Sequence, residues 1–467
     1  MSDSPDPVGT LIDLSGDGAS KERMREMIDL LYPLDRDLVS DGYDRAVEII
    51  GRYLPTQLHR YPSGSQVWSW KVPEKWELRR GRIETLDGRI VVDSDEHSLH
   101  VARYSAPVNA IVSRDELLEH VFVHPVLAEA IPYIFFFYRE NWGFCLTHEQ
   151  RAALSENEYR VVIEAVRGPG TMTVAEVVVP GTSQQSMLLV AHIDHPWQVN
   201  DDLTGTVVGV EAFRRLFASG LQPKYTWRLL LLPETIGSVA WLSERQDLFG
   251  SIHGGVFLEM LGRPYPHRLQ RSFSASSHVD IVFETTLAAF DPASSVHPFR
   301  TVIGNDERQF NAPGVRIPCL SLSRVRSPVL EISAHTDGSP AWPFDEYHSH
   351  LDDPAHCDYD ALCQSADLVS LFMRHMEEDA IVENLYQGEI FLSRYGIDRE
   401  LEVSWYRDPV FYKVFFDIMD RIDGTRTVSS IAREIGTDFA TVLRVVQTFE
   451  SQGLARRCPN VPAREGT

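Results

Sequence analysis

Hydrophobic positions near the start of the chain recur every three to four residues, which is the spacing of an amphipathic helix. Apolar side chains keep this spacing over 22–53, and Pro33 interrupts it, so the pattern predicts two helices. From 60 to 112 the pattern changes to short segments rich in Val, Ile, Trp and Tyr, separated by turn residues such as Asp87-Gly88. This change predicts a small inserted β subdomain.

The middle of the chain alternates between continuously apolar and amphipathic segments. Residues 186–193 and 226–232 are predicted to be buried strands, and 206–217 an amphipathic helix between them. The apolar run 131–137 is also predicted to be a buried strand. This alternation indicates an α/β fold with a mixed sheet covered by helices on both faces, in which catalytic groups tend to follow the carboxyl ends of strands.

The last part of the chain returns to helical spacing. The pattern predicts a helix that opens at 425–432, a turn at 436–438, a second helix over 440–452 and a basic segment at 455–457. This order is typical of a winged helix. The predicted units are a disordered N-terminus at 1–20, an α/β domain at 21–59 and 126–405, a β subdomain at 60–125 and a winged helix at 406–467.

Composition narrows the function. The chain has 467 residues and a net charge of −23, which argues against coating nucleic acid or an anionic membrane, because phosphate binding depends on Lys and Arg. No apolar run approaches the roughly 20 residues that span a bilayer. The N-terminus lacks the pattern of a secretory signal, so a cytoplasmic location is expected. The five cysteines share no C-x-x-C spacing, so no thiolate zinc site is expected.

The densest group of candidate functional residues lies at the end of the strand predicted at 186–193 and just after it. His192 and Asp194, two residues apart, share one face at its carboxyl end. One can bind a metal while the other orients it, because a metal-ligating His usually donates its second N–H to a carboxylate. Asp201 and Asp202 come next, in a turn before a helix. Taken singly, the structural interpretation is the favoured one: His192 would be a buried core histidine and Asp202 a helix cap.

Other acids and a histidine follow predicted strands or loops farther along the chain. Glu234 follows the strand at 226–232, Glu259 ends the next strand, and His348 is followed by an acid at Asp352. Two histidines with several carboxylates and no thiolate form a ligand set that suits zinc or another divalent transition metal.

The order of these motifs resembles a known family. The motifs are H-x-D at 192–194, D-D-x-x-G at 201–205, Glu234 after a strand, an acid before Met260, and Y-H-x-x-x-D at 347–352. Over about residues 125–400 they resemble the cocatalytic zinc aminopeptidases and glutamate carboxypeptidases. Segments 142–146, 233–238 and 305–310, with the C-terminal winged helix, are similar to a bacterial aminopeptidase-like branch. The resemblance implies a zinc-exopeptidase (phosphorylase/hydrolase-like) core.

The resemblance also implies a set of metal ligands. His192 and Glu259 would hold one ion, Asp201 would bridge to a second ion, and His348 would hold that second ion. One zinc ion would be tightly bound, a second is left open, and manganese or cobalt are alternatives. Glu259 stands where the family usually has Asp. Its side chain is one methylene longer, but the group that would bind the metal is still a carboxylate.

Catalytic roles follow from the same resemblance. Asp194 would orient His192, Glu234 would be the general base that takes a proton from the attacking water, and Tyr347 would stabilise the oxyanion. The family usually has two consecutive Glu residues, base then ligand, whereas this chain has Glu234-Thr235. If Glu234 is the base, the favoured assignment, the second site keeps only two ligands and is weak or empty. If Glu234 is the ligand, the base is missing.

The substrate residues are less defined. Asp306, Glu307 and Arg308 lie in a segment that lines the substrate pocket in the family, where acidic side chains can bind the free ammonium group of a substrate. An equal alternative is that these residues form a solvated acidic loop in which Arg308 pairs with a neighbouring acid. His195 and His350 lie beside better-matched ligands and are expected to be spectators.

The expected function is a metal-dependent aminopeptidase or related amide hydrolase acting on a small peptide or aminoacyl conjugate. One alternative is a degenerate hydrolase that binds rather than cleaves. Another is a winged-helix DNA-binding regulator, which charge disfavours: residues 401–467 hold nine Lys/Arg and nine Asp/Glu, and helix 440–452 carries only Arg444 and Glu450. The inserted β segment could be a lid or a contact in a homo-oligomer.

Overall fold

The centre of the molecule is an eight-stranded mixed sheet, seen in a computed structural model that describes residues 16–330, 342–459 and 461. Its four middle strands run parallel, with antiparallel pairings on both flanks. From edge to edge the strands are β1 Gln57–Pro62, β10 Thr171–Val179, β12 Thr226–Leu232, β11 Ser186–His192, β13 Ile252–Leu258, β16 Cys319–Ser323, β14 Arg268–Gln270 and β15 Ser295–His297. The strands predicted at 186–193 and 226–232 are confirmed as β11 and β12.

Helices cover one face of this sheet and form the larger buried core with it. They are α1 Ser20–Leu31, α2 Asp41–Ile50, α5 Leu203–Ala218, α7 His278–Phe290 and α9 Tyr359–Glu378. The two opening helices and the helix after β11 are confirmed. Helix α5 starts three residues before its predicted start because the side chain of Asp202 accepts a hydrogen bond from the Gly205 N–H and caps it.

The other face packs against α6 Ile236–Glu244 and a second, antiparallel sheet. The strands of that sheet, in spatial order, are β5 Ile90–Asp93, β4 Lys75–Thr85, β9 Glu158–Gly168 and β6 Val108–Ser113. The turn at Asp87-Gly88 joins β4 to β5, as predicted. Strand β9 lies outside 60–125, so the predicted segment does not form this sheet by itself. The architecture is mixed α/β.

The apolar run 131–137 is not a strand of either sheet, so that prediction is wrong. It makes only isolated bridges, between Pro132 and Ser349 and between Phe135 and Arg103. The Tyr133 N–H donates to the carbonyl of His348, which holds the run against the loop that carries this histidine. The remaining small elements before residue 380 are β2 Gln66–Val67, β3 Trp70–Lys71, α3 Arg114–Glu119, β7 Val121–Phe122, β8 Phe144–Cys145, α4 His148–Ala152 and α8 Glu307–Phe310.

The C-terminal part has its own apolar core. Its elements are β17 Ile381–Asn384, α10 Leu392–Tyr395, α11 Ile397–Glu400, α12 Pro409–Met419, α13 Val428–Ile435, α14 Phe439–Ser451 and β18 Ala455–Cys458, which pairs with β17. This core includes Val382 and Ile397, so it begins before the predicted boundary at 406. Both charged side chains of α14 have internal partners: Arg444 lies over the Phe411 ring, and Glu450 accepts hydrogen bonds from Arg457.

Two further sequence expectations concern the N-terminus and the membrane. Residues 1–15 of the segment predicted to be disordered lie outside the described residues, and Ser20 at its end already begins α1. Among the helices that the structure describes, none has both the length and the apolar character needed to cross a membrane.

A buried carboxylate joins α1 to α5. Glu211 accepts hydrogen bonds from Ser20, Arg23, Arg214 and Arg215. Burial alone would raise its pKa, but the bonds from Arg214, Arg23 and Ser20 lower the pKa from 4.5 to about 2. Its contribution to stability is therefore present above pH 4.5 and is lost as the pH falls toward 2.

We expect Glu211→Gln to lower the free energy of unfolding at pH 7 by about 2 kcal/mol, because hydrogen bonds to a charged group are lost. The difference in the free energy of unfolding between wild type and variant, measured by urea denaturation, should decrease as the pH falls from 4.5 to 2.5. Glu48→Gln, which breaks an exposed pair with Arg45, is the control and should change little at any pH. A gap that stayed constant with pH would contradict this account.

Candidate metal centre

The candidate site lies where three neighbouring parallel strands end. β11 ends at His192, β12 ends two residues before Glu234, and β13 ends one residue before Glu259. Because β12, β11 and β13 are adjacent and parallel, their carboxyl ends meet at one edge of the sheet. The following loops bring in Asp201 and His348 from farther along the chain.

Asp201 is the centre of the cluster. Its Oδ1 lies 3.3 Å from His192 Nε2, and its Oδ2 lies 3.3 Å from His195 Nδ1 and 3.0 Å from His348 Nε2. The ligand atoms of His195, Asp201 and His348 all lie within 4.8 Å of one another. The structure thus brings together the predicted residues His192, Asp201 and His348, and it adds His195.

The cluster has the chemistry of a cation site. His192 Nε2, His195 Nδ1, His348 Nε2 and both carboxylate oxygens of Asp201 are buried and have no hydrogen-bonding partner within the described part of the chain. Buried polar atoms in proteins are nearly always hydrogen-bonded, so five such atoms gathered around one carboxylate favour a bound partner. Imidazole nitrogens and a carboxylate are ligands that zinc accepts, and these residues therefore fit a divalent cation.

Charge compensation within the cluster supports the same interpretation. Burial alone would raise the pKa of Asp201, but the charge of His195 and the close approach of the histidine nitrogens lower it well below its usual range. Burial alone would lower the pKa of His195, but the charges of Asp201 and Asp194 raise it to about 10. The Asp201 carboxylate is therefore stable only with positive charge around it, which protonated imidazoles or a bound cation can supply.

Asp194 and Glu234 lie beside this cluster. Asp194 Oδ1 is 3.2 Å from His192 Nδ1 and accepts a hydrogen bond of 2.8 Å from the Glu234 N–H, so it fixes both neighbours. Glu234 Oε2 is 3.1 Å from His195 Nε2. Burial alone would raise the pKa of Glu234, but the bond with His195 and the charges of His195 and His192 lower it to about 2.

Tyr347 packs against the cluster through His348. The two rings are stacked with centroids 4.0 Å apart. Burial, together with the negative charges of Asp201 and Glu234, raises the pKa of Tyr347 well above its usual value. Its hydroxyl therefore stays protonated and can donate a hydrogen bond.

Glu259 is in neither group of possible metal ligands among the described residues, and its role as a ligand stays a prediction. Its carboxylate accepts hydrogen bonds from Ser321 Oγ at 2.6 Å and Asn305 Nδ2 at 3.1 Å. Burial and the neighbouring charge of Glu307 raise its pKa well above the usual value. Each oxygen of Glu259 therefore already accepts one hydrogen bond.

Two of the three predicted substrate residues are not open to a ligand. Asp306 is fully buried and accepts a hydrogen bond of 2.9 Å from the Thr235 N–H. Glu307 is also fully buried and accepts from Gln270 Nε2 at 3.0 Å. Their burial fits neither of the two interpretations of this segment, acids open to a substrate or a solvated loop. Arg308 is partly exposed, and its Nη2 donates to Thr235 Oγ1 at 3.1 Å.

Two positioning residues were not predicted from the sequence. The buried Arg36 donates to the carbonyls of Ile193 and His195, which holds the loop after β11. Asp352 accepts hydrogen bonds from the N–H groups of Asn200 and Asp201. The only sequence signal for Asp352 is its place in the Y-H-x-x-x-D motif, and Arg36 has no local signal.

Comparison with known proteins identifies the fold. A crystal structure of a "putative peptidase" from Clostridium acetobutylicum is similar, with a TM-score of 0.82 and 27% identity over 94% of this chain and 98% of that one. The zinc aminopeptidase BSAP from Bacillus subtilis has a TM-score of 0.57 at 13% identity, over 78% of this chain and 95% of that one, and shows the fold alone.

A related sequence gives the same class. A Clostridium acetobutylicum protein described as a "Putative polysaccharide biosynthesis protein with aminopeptidase-like domain" is 30% identical over 418 residues, which is 89% of this chain and 92% of that protein. Fold and cluster together thus define an aminopeptidase-like domain with the peptidase M28-like fold. Residues 25–379 match a family described as "Domain of unknown function (DUF4910)", and the chain belongs to that family.

Proposed function

We propose that this protein is a metal-dependent amide hydrolase that cleaves a small peptide or an aminoacyl conjugate, with Glu234 as general base. The observation that carries the proposal is the convergence of His192, His195 and His348 on the two oxygens of Asp201, next to Glu234. A divalent cation bound there, zinc above all and manganese or cobalt as alternatives, polarises a carbonyl group and lowers the pKa of water.

The side chains around the cluster have complementary tasks. Glu234 is ionised at neutral pH because of its low pKa, so it can accept a proton from the attacking water and pass it to the leaving nitrogen. Tyr347 donates its hydroxyl hydrogen to the developing oxyanion. Asp194 keeps the His192 ring oriented and also fixes the backbone of Glu234.

Turnover with added metal tests this function. Chelator-treated protein should hydrolyse aminoacyl amides or dipeptides only after zinc, manganese or cobalt is restored, as measured by release of the amine. Absence of turnover with all three metals over a broad substrate set would contradict the proposal and favour a degenerate hydrolase that binds without cleaving.

Arg308 is the one predicted substrate residue that can reach a ligand. Its guanidinium lies beside Thr235, the neighbour of Glu234, and its Nε is buried without a hydrogen-bonding partner in 16–330 and 342–459. A guanidinium next to the proposed base, with its Nε still unpartnered, favours a substrate with an anionic group near the scissile bond.

We therefore expect Arg308→Gln to raise KM about 10- to 100-fold for substrates with a free carboxylate near the scissile bond, because a charge-assisted hydrogen bond is lost. Substrates with an amide in place of that carboxylate should be affected less than about threefold. Initial rates on matched acid and amide substrates measure the difference. An equal loss on both would contradict an anion-binding role.

A further inference from the structure

His195 is placed like a ligand rather than like a core residue. Its side chain is 2% exposed, and its Nδ1 lies 3.3 Å from Asp201 Oδ2, the oxygen that His348 Nε2 approaches to 3.0 Å. The three residues form a group whose ligand atoms are mutually within 4.8 Å. His195 Nδ1 and His348 Nε2 thus face the same carboxylate oxygen from two sides.

The ring of His195 is held without any use of Nδ1. Its backbone carbonyl accepts a hydrogen bond of 2.7 Å from Arg36 Nη2, and its φ of +68° turns the chain sharply after β11. The Tyr133 ring packs on the imidazole at a centroid distance of 5.0 Å. Backbone and packing therefore fix the side chain, and Nδ1 has no hydrogen-bonding partner within the described ranges.

The second ring nitrogen has a partner that sets the tautomer. His195 Nε2 lies 3.1 Å from Glu234 Oε2, so the N–H at Nε2 donates to that carboxylate. With a hydrogen on Nε2 donated to Glu234, Nδ1 is the nitrogen left to bind a cation, and it faces Asp201 Oδ2 at 3.3 Å. Metal-binding histidines commonly have this arrangement, in which one nitrogen binds the cation and the other donates to a carboxylate.

Thr235 occupies the position where the family that this sequence resembles usually has a metal-binding Glu, and its polar groups have other partners. Thr235 follows Glu234 directly, but its Oγ1 accepts from Arg308 Nη2 and its N–H donates to Asp306 Oδ1. Glu259 is bound to Ser321 and Asn305. His195 is the side chain that faces the same Asp201 oxygen as His348, so it can complete a third ligand there, whereas His192 faces the other oxygen.

We propose that His195 Nδ1, Asp201 and His348 Nε2 form the tighter of the cation sites, and that His192 belongs to a weaker neighbouring one. This proposal rests on the proposed function. Two imidazoles and one carboxylate are a ligand set that zinc uses in catalytic sites, where three protein ligands leave one position open. His192, Asp194 and His195 form a second group of possible ligands, but Asp194 Oδ1 already faces His192 Nδ1 and accepts a hydrogen bond from the Glu234 N–H, which leaves that site fewer free ligand atoms.

Two variants of His195 separate its ligand role from its bond to Glu234. In His195→Gln the terminal amide can replace Nε2 but leaves no atom at Nδ1. In His195→Asn the amide lies near Nδ1, and asparagine tolerates the positive φ of this position. The control is His350→Asn, because His350 Nδ1 accepts from the Ile131 N–H outside the cluster.

Calorimetric titration of the metal-free proteins with zinc, and the visible absorption of their cobalt forms, provide the readouts. We expect His195→Gln to weaken the affinity for the most tightly bound zinc ion by about 100-fold or more, and to change the absorption spectrum of the cobalt form. His195→Asn should weaken binding less, and His350→Asn should match wild type. Unchanged affinity and spectrum in folded His195→Gln would overturn the proposal. If wild type binds no metal, the proposed function fails as well.

Wild-type protein gives an independent test, which does not depend on a variant folding. After exchange with ¹¹³Cd in ¹⁵N-histidine-labelled protein, one imidazole should couple to cadmium through Nδ1, and His348 should couple through Nε2. Couplings through Nε2 alone would overturn the role of His195 while leaving a metal-dependent hydrolase intact.

Discussion

Glu234→Gln should lower kcat by about 10²- to 10⁴-fold with little change in metal content, because the variant cannot accept a proton. Glutamine keeps the size of the side chain and can still bond to His195 Nε2, which lies 3.1 Å from Glu234 Oε2. The loss should therefore be in chemistry and not in binding. Steady-state kinetics on the best aminoacyl amide, with zinc content measured on the same samples, provides the test.

The control for this variant is another glutamate paired with a histidine. Glu176, in β10 and outside the cluster, has its Oε2 2.6 Å from the Nε2 of His59 in β1, and it also binds Arg228. Glu176→Gln should lower stability but leave kcat within about twofold of wild type, because it is remote from the proposed base. If Glu234→Gln instead lost its metal and kept its rate at saturating zinc, Glu234 would be a ligand and not the base.

Asp201→Asn should abolish stable metal binding, with a loss in affinity of more than about 100-fold. The carboxylate supplies one oxygen to His192 and the other to His195 and His348, so a neutral amide weakens both neighbouring sites at once. Turnover should disappear in parallel. Zinc content after dialysis, together with calorimetric titration, measures the effect.

A matched aspartate pairs with a histidine elsewhere in the fold. Asp291 Oδ2 lies 2.8 Å from His267 Nδ1 near the end of α7. Asp291→Asn should bind zinc like wild type. A folded Asp201→Asn that still held a full equivalent of zinc would show that the cation is bound elsewhere.

The residues at the carboxyl edge of the sheet could be predicted from the sequence, because the end of a strand is a local feature of the hydrophobic pattern. The apolar strands ending at His192 and Leu232 are visible in the pattern, and parallel neighbours bring the residues after them to one edge. His192, Asp201 and His348 could be proposed as partners on these grounds and from the family resemblance. The hydrogen bonds that Glu259 accepts from Asn305 and Ser321 could not be predicted, because these partners are distant in sequence.

His195 and Arg36 were missed for related reasons. The direction of the His195 ring follows from a positive φ in the turn after β11, and periodicity does not encode such a turn. Arg36 reaches the backbone of this loop from the segment between the two opening helices, about 160 positions earlier. Such contacts exist only after the chain has folded, so no local pattern announces them.

The buried acids of the 305–310 segment are a third case. Asp306 and Glu307 look like surface groups in the sequence, but α8 packs behind the loop that carries Glu234, and both side chains serve as internal hydrogen-bond acceptors. Burial raises the pKa of each to about 7. Charge in a sequence therefore did not indicate exposure here.

The most direct measurement of the central claim is anomalous diffraction at the zinc edge from crystals grown with zinc. We expect a strong peak within coordinating distance of Asp201, His195 Nδ1 and His348 Nε2, with any second peak on the side of His192. Crystals that take up zinc elsewhere, and show no anomalous density beside Asp201, would contradict it.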